Sequence, residues 1–494
     1  MSETQIVKTR MAPSPTGMPH IGNFRTLVFN WLFARHHGGK FVLRIEDTDV
    51  ARKVEGAMDA FLEALRWLEL DWDEGPEVGG PNGPYLQSQR LPIYKERAEW
   101  LIAHRYAYRC FCSTERLAAM RQEQQQRKEP PGYDRRCRTL SESEVELQAT
   151  LAEGINGVVR FKVPLEGTTT FHDLIHGDIT FPNSALDDFV LMKSDGYPTY
   201  HMAHLVDDHM MGITHVMRAD EWISSTPRHV LLYDAFGWEP PKFAHVPQIL
   251  APDKSKLSKR HGATSVLAYR DMGYLPDALV NYLALLGWAF DATTEIMSRE
   301  ELIRNFSMEK INKTGAVFDI NKLDWMNGCY IRQLSLPDLT SRLMPYLEKA
   351  GLATDADREY FGRVMPLVQE RIKKLSEIVE FTDFFFSDKL EYDGSLLVAK
   401  GLTAQPSLAA LRTARERMEG ITPWDHATLE EVIRPLAGEL GLKTGQLFGI
   451  LRVATTGRTA APPLFETMEV LGRERVMPRL TDAERRLALL AAAS

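Results

Sequence analysis

No stretch of this 494-residue chain approaches the roughly 20 consecutive apolar residues that a membrane span requires. Its first ten residues, MSETQIVKTR, carry no apolar signal core. The expectation is therefore a soluble, cytoplasmic protein. Cysteine is scarce: the four residues at 110, 112, 137 and 329 are too few for a disulfide scaffold. A basic excess is also missing, because 59 Lys and Arg face 67 Asp and Glu for a net charge of −8. Global electrostatics thus cannot hold this chain to a nucleic acid, and any polyanion must be gripped by local patches. Neither G-x-G-x-x-G nor G-x-x-x-x-G-K-[ST] stands at the first strand–helix turn, which disfavours a dinucleotide fold and a P-loop.

What is present, at 44% hydrophobic, is enough apolar sequence for several cores. Ile6, Val7 and Met11 open a strand, APSPTGMP is a loop, and Ile21, Phe24, Val28, Trp31 and Leu32 follow amphipathic helical spacing up to Gly38-Gly39. FVLRIE at 41–46 reads as the next strand, completing a βαβ unit. A second helix carries Met58, Phe61, Leu62, Leu65 and Leu68 on one face. Between about 98 and 199 the texture changes to cysteines, a polar tract RQEQQQRKEPPG and strand-like runs, as an inserted domain would. The α/β pattern resumes with ITHVM, then a helix in SSTPRHVLLYDAFG with Thr226 as N-cap and Gly237 as stop, then KFAHVPQIL. After residue 337 nearly everything reads helical, including an S-x-x-D start in SLPDLTSRLMPYLEKAG, which Pro345 should kink.

Two short elements carry the chemistry. PHIGN, residues 19–23, lies where a loop from a strand enters a helix, so unpaired N–H groups and the positive end of the helix dipole suit a phosphate there. His20 offers a donor, and Gly22 removes a side chain from the approach. Alone, such a tripeptide is more often an ordinary helix cap. KSKLSKRHG, residues 254–262, clusters Lys254, Lys256, Lys259 and Arg260 with two serines in a glycine-ended loop after a strand, able to wrap a polyphosphate.

In this order within one α/β chain, the two elements resemble the paired signatures of class I aminoacyl-tRNA synthetases. TRMAPSPTGMPHIGN, LRIEDTD, SDGYPTYH, MRADEW, STPRHVLLYDAFGW, KLSKRHG, WMNGCYIR and TGRTAAPPLFETMEVLGRERV resemble the glutamyl-tRNA synthetase family across nearly the whole chain. The resemblance implies a Rossmann-like α/β catalytic domain with an inserted α+β acceptor-end-binding domain, a stem-contact region and all-α anticodon-binding domains. The corresponding bounds are 1–97 and 200–250 for the catalytic halves, 98–199 for the insert, 251–336 for the signature loop and stem contact, and 337–494 for the helical region, divided near 395.

It further implies ATP, Mg2+, L-glutamate and tRNA(Glu) as reaction components, with a monomeric enzyme. His20, Lys256 and Lys259 would be catalytic. Gly22, Asn23, Leu257, Ser258 and Arg260 would join them around ATP. Arg10, Ala12, Ser14, Glu46, Tyr200, His204 and Arg218 would surround glutamate, Glu46 at the ammonium, Arg10 and Tyr200 at the γ-carboxylate. His204 stands where some relatives carry asparagine; if it titrates near its ordinary value, glutamate affinity should tighten below pH 6.5. Cys110, Cys112, Tyr133 and Cys137 match a zinc site found in part of the family, the alternative being three reduced, unligated cysteines. Arg371 aligns with an arginine that some members present to the last anticodon base, although a helix-surface arginine is the commoner explanation of any one instance. Two rivals share the core: a glutamyl-transferring tRNA-modifying relative, which would end near the catalytic domain, and a catalytically silent RNA-binding paralogue.

Overall fold

The computed structural model describes residues 6–151, 157–261, 265–352, 354 and 357–493. The chain forms two compact units, one of Met1–Ala268 with Leu279–Asp319, the other of Tyr269–Ala278 with Ile320–Ser494.

The first unit begins with β1 (Lys8–Met11), α1 (Ile21–His36) and β2 (Lys40–Leu43), the two strands pairing in parallel with Lys8 opposite Lys40 and Met11 opposite Leu43. The spacing predicts an amphipathic α1, but the helix is buried nearly all round, Arg25, Thr26 and Asn30 included. Hydrogen bonds make this tolerable: Thr26 Oγ1 donates to Gly22 O, and Asn30 Nδ2 to Thr26 O and Met217 O. α2 (Ala57–Trp67) and α3 (Leu91–Ala103) follow.

The stretch expected as an insert contains β3 (Ala107–Cys110), α4 (Thr114–Gln126), α5 (Glu142–Leu151), β4 (Val158–Phe161), β5 (Thr168–Asp173), β6 (Gly177–Pro182) and β7 (Val190–Met192). β3, β4 and β7 make their own antiparallel sheet. The β5–β6 hairpin does not join it. Its alternating buried and exposed residues are those of a sheet with one covered face, and Asp173 pairs in parallel with Phe243.

That partner lies beyond α6 (Tyr200–Met210), β8 (His215–Ala219) and α7 (Thr226–Phe236), on β9 (Lys242–Val246). The result is a four-stranded sheet in the order β6-β5-β9-β8. β8 and β9 run parallel, with Arg218 opposite His245, and both are buried through almost their whole length, as strands covered on two faces are. Thr214 N donates to Lys8 O, bringing β1 alongside the start of β8. α7 is capped differently from the expectation: Ser225 is the N-cap and Thr226 the first helical residue, its hydroxyl donating to Trp222 O. Gly237 ends the helix at φ 66°, where a residue with a Cβ is strained. β10 (Ile249–Leu250), α8 (Val266–Asp271), α9 (Pro276–Leu285), α10 (Arg299–Asn305) and β11 (Ala316–Val317) follow, β10 pairing with β11 in parallel, while the residues of α8 and α9 are divided between the two units.

The second unit is helical: α11 (Ile320–Gln333), α12 (Leu336–Lys349), α13 (Arg358–Val368), α14 (Ile378–Phe386), α15 (Ala404–Met418), α16 (His426–Glu439), α17 (Thr444–Thr456), α18 (Leu464–Leu471) and α19 (Arg473–Ala493). Ser335 caps α12 by accepting from Asp338 N, as its S-x-x-D start predicts, and Pro345 lies inside that helix. Leu343, Phe361, Met365, Phe385, Leu411, Leu451 and Leu480 belong to one contiguous apolar cluster running from α11 to α19. Burying each such side chain is worth about 1.5–3 kcal/mol, so this cluster rather than helix propensity holds the unit together.

Candidate active site

α1 enters from a loop, and His20 is its N-cap: the Nδ1 atom accepts from Gly22 N at 3.0 Å. A neutral ring in this arrangement carries its proton on Nε2. Gly22 leaves this ring room, since a Cβ there would lie 3.2 Å from His20 Nδ1 and press on the imidazole. The first turn of α1 holds no acidic residue, leaving its positive end uncompensated.

The segment after β10 folds back so that Leu250 bridges Lys256 and Leu257 N donates to Ile249 O. A short 3-10 turn, Lys259–His261, follows. His261 organises it, its Nδ1 accepting from Ser258 N at 3.1 Å, while Arg260 Nη2 donates to Ser255 Oγ. The Lys259 side chain and residues 262–264, where the glycine ending the loop was expected, lie outside the described residues.

These two elements share one cleft. His20, Gly22, Asn23, Arg25 and Thr26 form one wall, Gln248, Ile249, Lys256 and Leu257 another, with Ala219 and Glu221 beside them, around about 500 Å³ of atom-free space that includes open solvent. Lys256 Nζ donates to Glu221 Oε2 at 2.5 Å, and both side chains are exposed. Arg25 was not anticipated. It is buried, donating through Nη1 to Leu286 O and through Nη2 to Pro247 O, and burial lowers its pKa to about 10.

The same unit holds a buried ionic network. Arg44, 0% exposed, donates to Glu46 Oε1 at 3.0 Å and Asp208 Oδ1 at 2.7 Å, with Asp207 Oδ2 at 3.5 Å. Arg10 Nε donates to both Asp208 oxygens, and Arg90 Nε, Tyr94 OH and Gln87 Nε2 converge on Asp207. Burial alone would raise the Asp208 carboxyl, but Arg10 and Arg44 hold it well below the usual range. At Glu46, burial wins over Arg44 and the pKa is raised. The loop carrying Ala12 and Ser14 runs along the end of β2, with Glu46 N donating to Pro13 O.

Arg218 is held differently. It is 5% exposed, and its nitrogens donate to Tyr200 OH at 3.0 Å, Thr226 Oγ1 at 2.9 Å, His229 Nδ1 at 3.1 Å and His245 Nε2 at 3.2 Å. Every acceptor is neutral, and no carboxylate forms an ion pair with it among the described residues. A desolvated guanidinium without a counter-ion is a receptor for a carboxylate. The Tyr200 ring lies between His204, stacked at 4.5 Å, and Trp222 at 4.3 Å. His204 overturns the expectation of titration near pH 6.5. Burial, against the pull of Asp208, drives its pKa down to about 3, so the ring is neutral throughout that range and supplies no tightening of affinity.

Comparisons with known proteins bear on this arrangement. The family described as tRNA synthetases class I (E and Q), catalytic domain, matches residues 6–325, and the anticodon binding domain family matches 338–484. A glutamate--tRNA ligase of Dehalococcoides mccartyi is 57% identical over 490 residues, 99% of each chain. The chain belongs to the glutamyl-tRNA synthetase family. The synthetase of Moorella thermoacetica is 48% identical over 97% of this chain and 98% of its own. Among solved structures, a glutamate tRNA ligase from Elizabethkingia meningosepticum in complex with its amino acid superposes with a TM-score of 0.88 at 35% identity, covering 97% of this chain and 99% of that one.

Two further clusters of this synthetase concern expected sites. The sulfurs of Cys110, Cys112 and Cys137 lie within 4.8 Å of one another. Tyr133 OH is 3.3 Å from Cys110 Sγ and 3.5 Å from Cys112 Sγ, Arg116 reaches Cys112, and the Arg160 guanidinium covers the Tyr133 ring. This donor set fits a tetrahedral zinc: three sulfurs and an oxygen converge, with two cations to offset the excess thiolate charge. Arg371 is exposed in the turn that follows α13, its N–H bonded to Val368 O, rather than on a helix surface. Burial and the Arg371 charge together lower the pKa of Arg452 on α17.

Proposed function

We propose that this chain activates L-glutamate with ATP and transfers it to the terminal ribose of tRNA(Glu). The observation that carries the reading is the common cleft in which the His20 end of α1 faces the Lys256–Leu257 segment. ATP would lie there, its α-phosphate toward His20, Gly22 and Asn23 and its β- and γ-phosphates toward Lys256, Leu257, Ser258, Lys259 and Arg260. The glutamate α-carboxylate oxygen attacks the α-phosphorus in line, the bond to the bridging oxygen breaks, and pyrophosphate leaves. A ribose hydroxyl of the tRNA then attacks the activated carbonyl and AMP departs. Bound Mg2+ would spread charge over the phosphates, and positioned donors and in-line placement supply the rest.

Glutamate would sit with its ammonium at Glu46 and its carboxylates at Arg218, Arg10 and Tyr200, beside Ala12, Ser14 and His204. Glutamine in the same pocket leaves a buried cation without its counter-charge, costing about 3–5 kcal/mol. Zinc held by Cys110, Cys112, Tyr133 and Cys137 would cross-link the start of the inserted region. Arg371 would read the last anticodon base by bidentate hydrogen bonding, and the enzyme would act as a cytoplasmic monomer. Acylation with labelled glutamate on purified tRNA(Glu) and tRNA(Gln) tests the reading. ATP-dependent charging of tRNA(Glu) is expected, and none on either tRNA overturns it. Metal analysis of protein purified without chelator is expected to give about one zinc per chain, four ligands closing one tetrahedral site; a value near zero removes the metal.

A further inference from the structure

We infer that Asp173 and His245 form a positioning pair that aims the Arg218 guanidinium and so sets the strength of amino-acid binding. The inference rests on the proposal that Arg218 is a glutamate ligand. Three adjacent strands deliver the groups. Arg218 on β8 lies opposite His245 on β9, and Asp173 ends β5 opposite Phe243, two residues before that histidine.

Asp173 Oδ2 accepts from His245 Nδ1 at 2.6 Å and from His245 N at 3.0 Å. With the proton held on Nδ1, Nε2 presents its lone pair to the Arg218 Nε–H at 3.2 Å. The opposite tautomer would aim an N–H at a guanidinium N–H. Both Asp173 and His245 are completely buried, so water cannot substitute for either bond.

The interposed ring explains how an arginine can be fixed without being neutralised. A carboxylate in direct contact with Arg218 would orient it but compete with the carboxylate of the substrate. Placing a neutral imidazole between acid and guanidinium transmits orientation, polarises the acceptor and leaves the positive charge for the ligand. His229 is a second neutral acceptor, its Nδ1 accepting from Arg218 Nη2, with the His201 ring rather than an acid behind it at 2.9 Å from Nε2. The acid comes from the β5–β6 hairpin, so a segment of the expected insert has a part in amino-acid selection.

Three variants test the pair. His245→Phe keeps ring volume and removes the acceptor, His245→Gln restores an acceptor oxygen, and Asp173→Asn removes the charge while keeping an oxygen for the Ile175 and His176 N–H groups that Asp173 Oδ1 serves. Steady-state acylation with separate KM values for glutamate and ATP is the readout, with thermal denaturation to establish that each variant is folded. His245→Phe is expected to raise KM for glutamate about 10- to 100-fold, the scale of a misplaced binding group, with KM for ATP unchanged. His245→Gln should recover most of that loss, whereas Asp173→Asn, whose amide nitrogen takes the place of Oδ2 and cannot accept from His245 Nδ1, should raise KM for glutamate about 10-fold or more by favouring the tautomer with the proton on Nε2. If His245→Phe does not fold, His245→Gln and Asp173→Asn decide. KM values for ATP and glutamate that rise together, or a folded set with unchanged KM for glutamate, overturn the positioning role. Arg218→Lys separates the two claims: unchanged KM for glutamate there sinks the ligand assignment itself, whereas a raised KM with His245→Phe silent sinks only the pair.

Discussion

Arg10, Arg44 and Arg218, buried around the proposed glutamate pocket, and Lys256 in the open cleft are held in opposite ways. In the pocket the guanidiniums are desolvated and tied to fixed partners, Arg44 alone spanning Glu46, Asp207 and Asp208. In the cleft Lys256 is 63% exposed and pairs with a Glu221 that is itself 46% exposed. Recognition of a small anion against its neutral amide needs charge that water cannot replace. A polyphosphate that must be gripped and then released needs charge that water readily replaces. In the proposed reading one fold would supply both, the first set from buried parallel strands and the second from a surface loop.

The contrast breaks most sharply at Arg218. Arg218→Ala should lower kcat/KM for glutamate about 10³-fold, on the scale of an unpaired buried charge, while leaving ATP binding by calorimetry unchanged. Asp208→Asn tests the same pocket through stability. Arg10 and Arg44 lose a shared counter-ion, so about 3–5 kcal/mol of unfolding free energy should disappear in urea titrations at pH 7. The depressed Asp208 carboxyl contributes its stability above an unfolded pKa of about 3.9, and that contribution is lost as pH falls further toward the folded value.

The histidines sharpen the comparison at milder acidity. His201 at about 4 and His204 at about 3 are both held down by burial. The unfolded chain binds their protons first, so stability is full above about pH 6.5 and declines below it, by up to about 1.4 kcal/mol per pH unit for each ring. His204→Asn should make that slope shallower, while the glutamate dissociation constant stays flat from pH 5.5 to 8 as far as this ring is concerned; a slope identical to that of the parent chain would refute it. In the cleft, Glu221→Gln should change unfolding free energy by less than about 1 kcal/mol, as exposed pairs do, and a larger loss would mean the cleft is as rigid as the pocket.

Much of the site was legible because its residues sit in short motifs whose chemistry is local. PHIGN announces a helix entrance, and its cap bond runs between residues two apart. The partners of Arg218 were not legible. His245, His229 and Thr226 lie 8 to 27 residues away and Asp173 is 72 residues from His245, with no periodicity joining them. Asp207, Asp208, Arg90 and Gln87 look like ordinary exposed polar residues in a linear reading, and only burial makes them a network. The hairpin at 168–182 misled for a related reason: alternation announces strands but is silent on which sheet they join.

By itself, then, the sequence determined the strand–helix order, the two anion-facing elements, the helical second unit and the family, because each depends on spacing within a few residues or on motifs read in order. Tertiary structure decided which charges are desolvated, which histidines are silent to pH and which strand brings an acid to the histidine that holds Arg218. Those are properties of environment, and dielectric surroundings and cross-strand register exist only once distant segments have packed together.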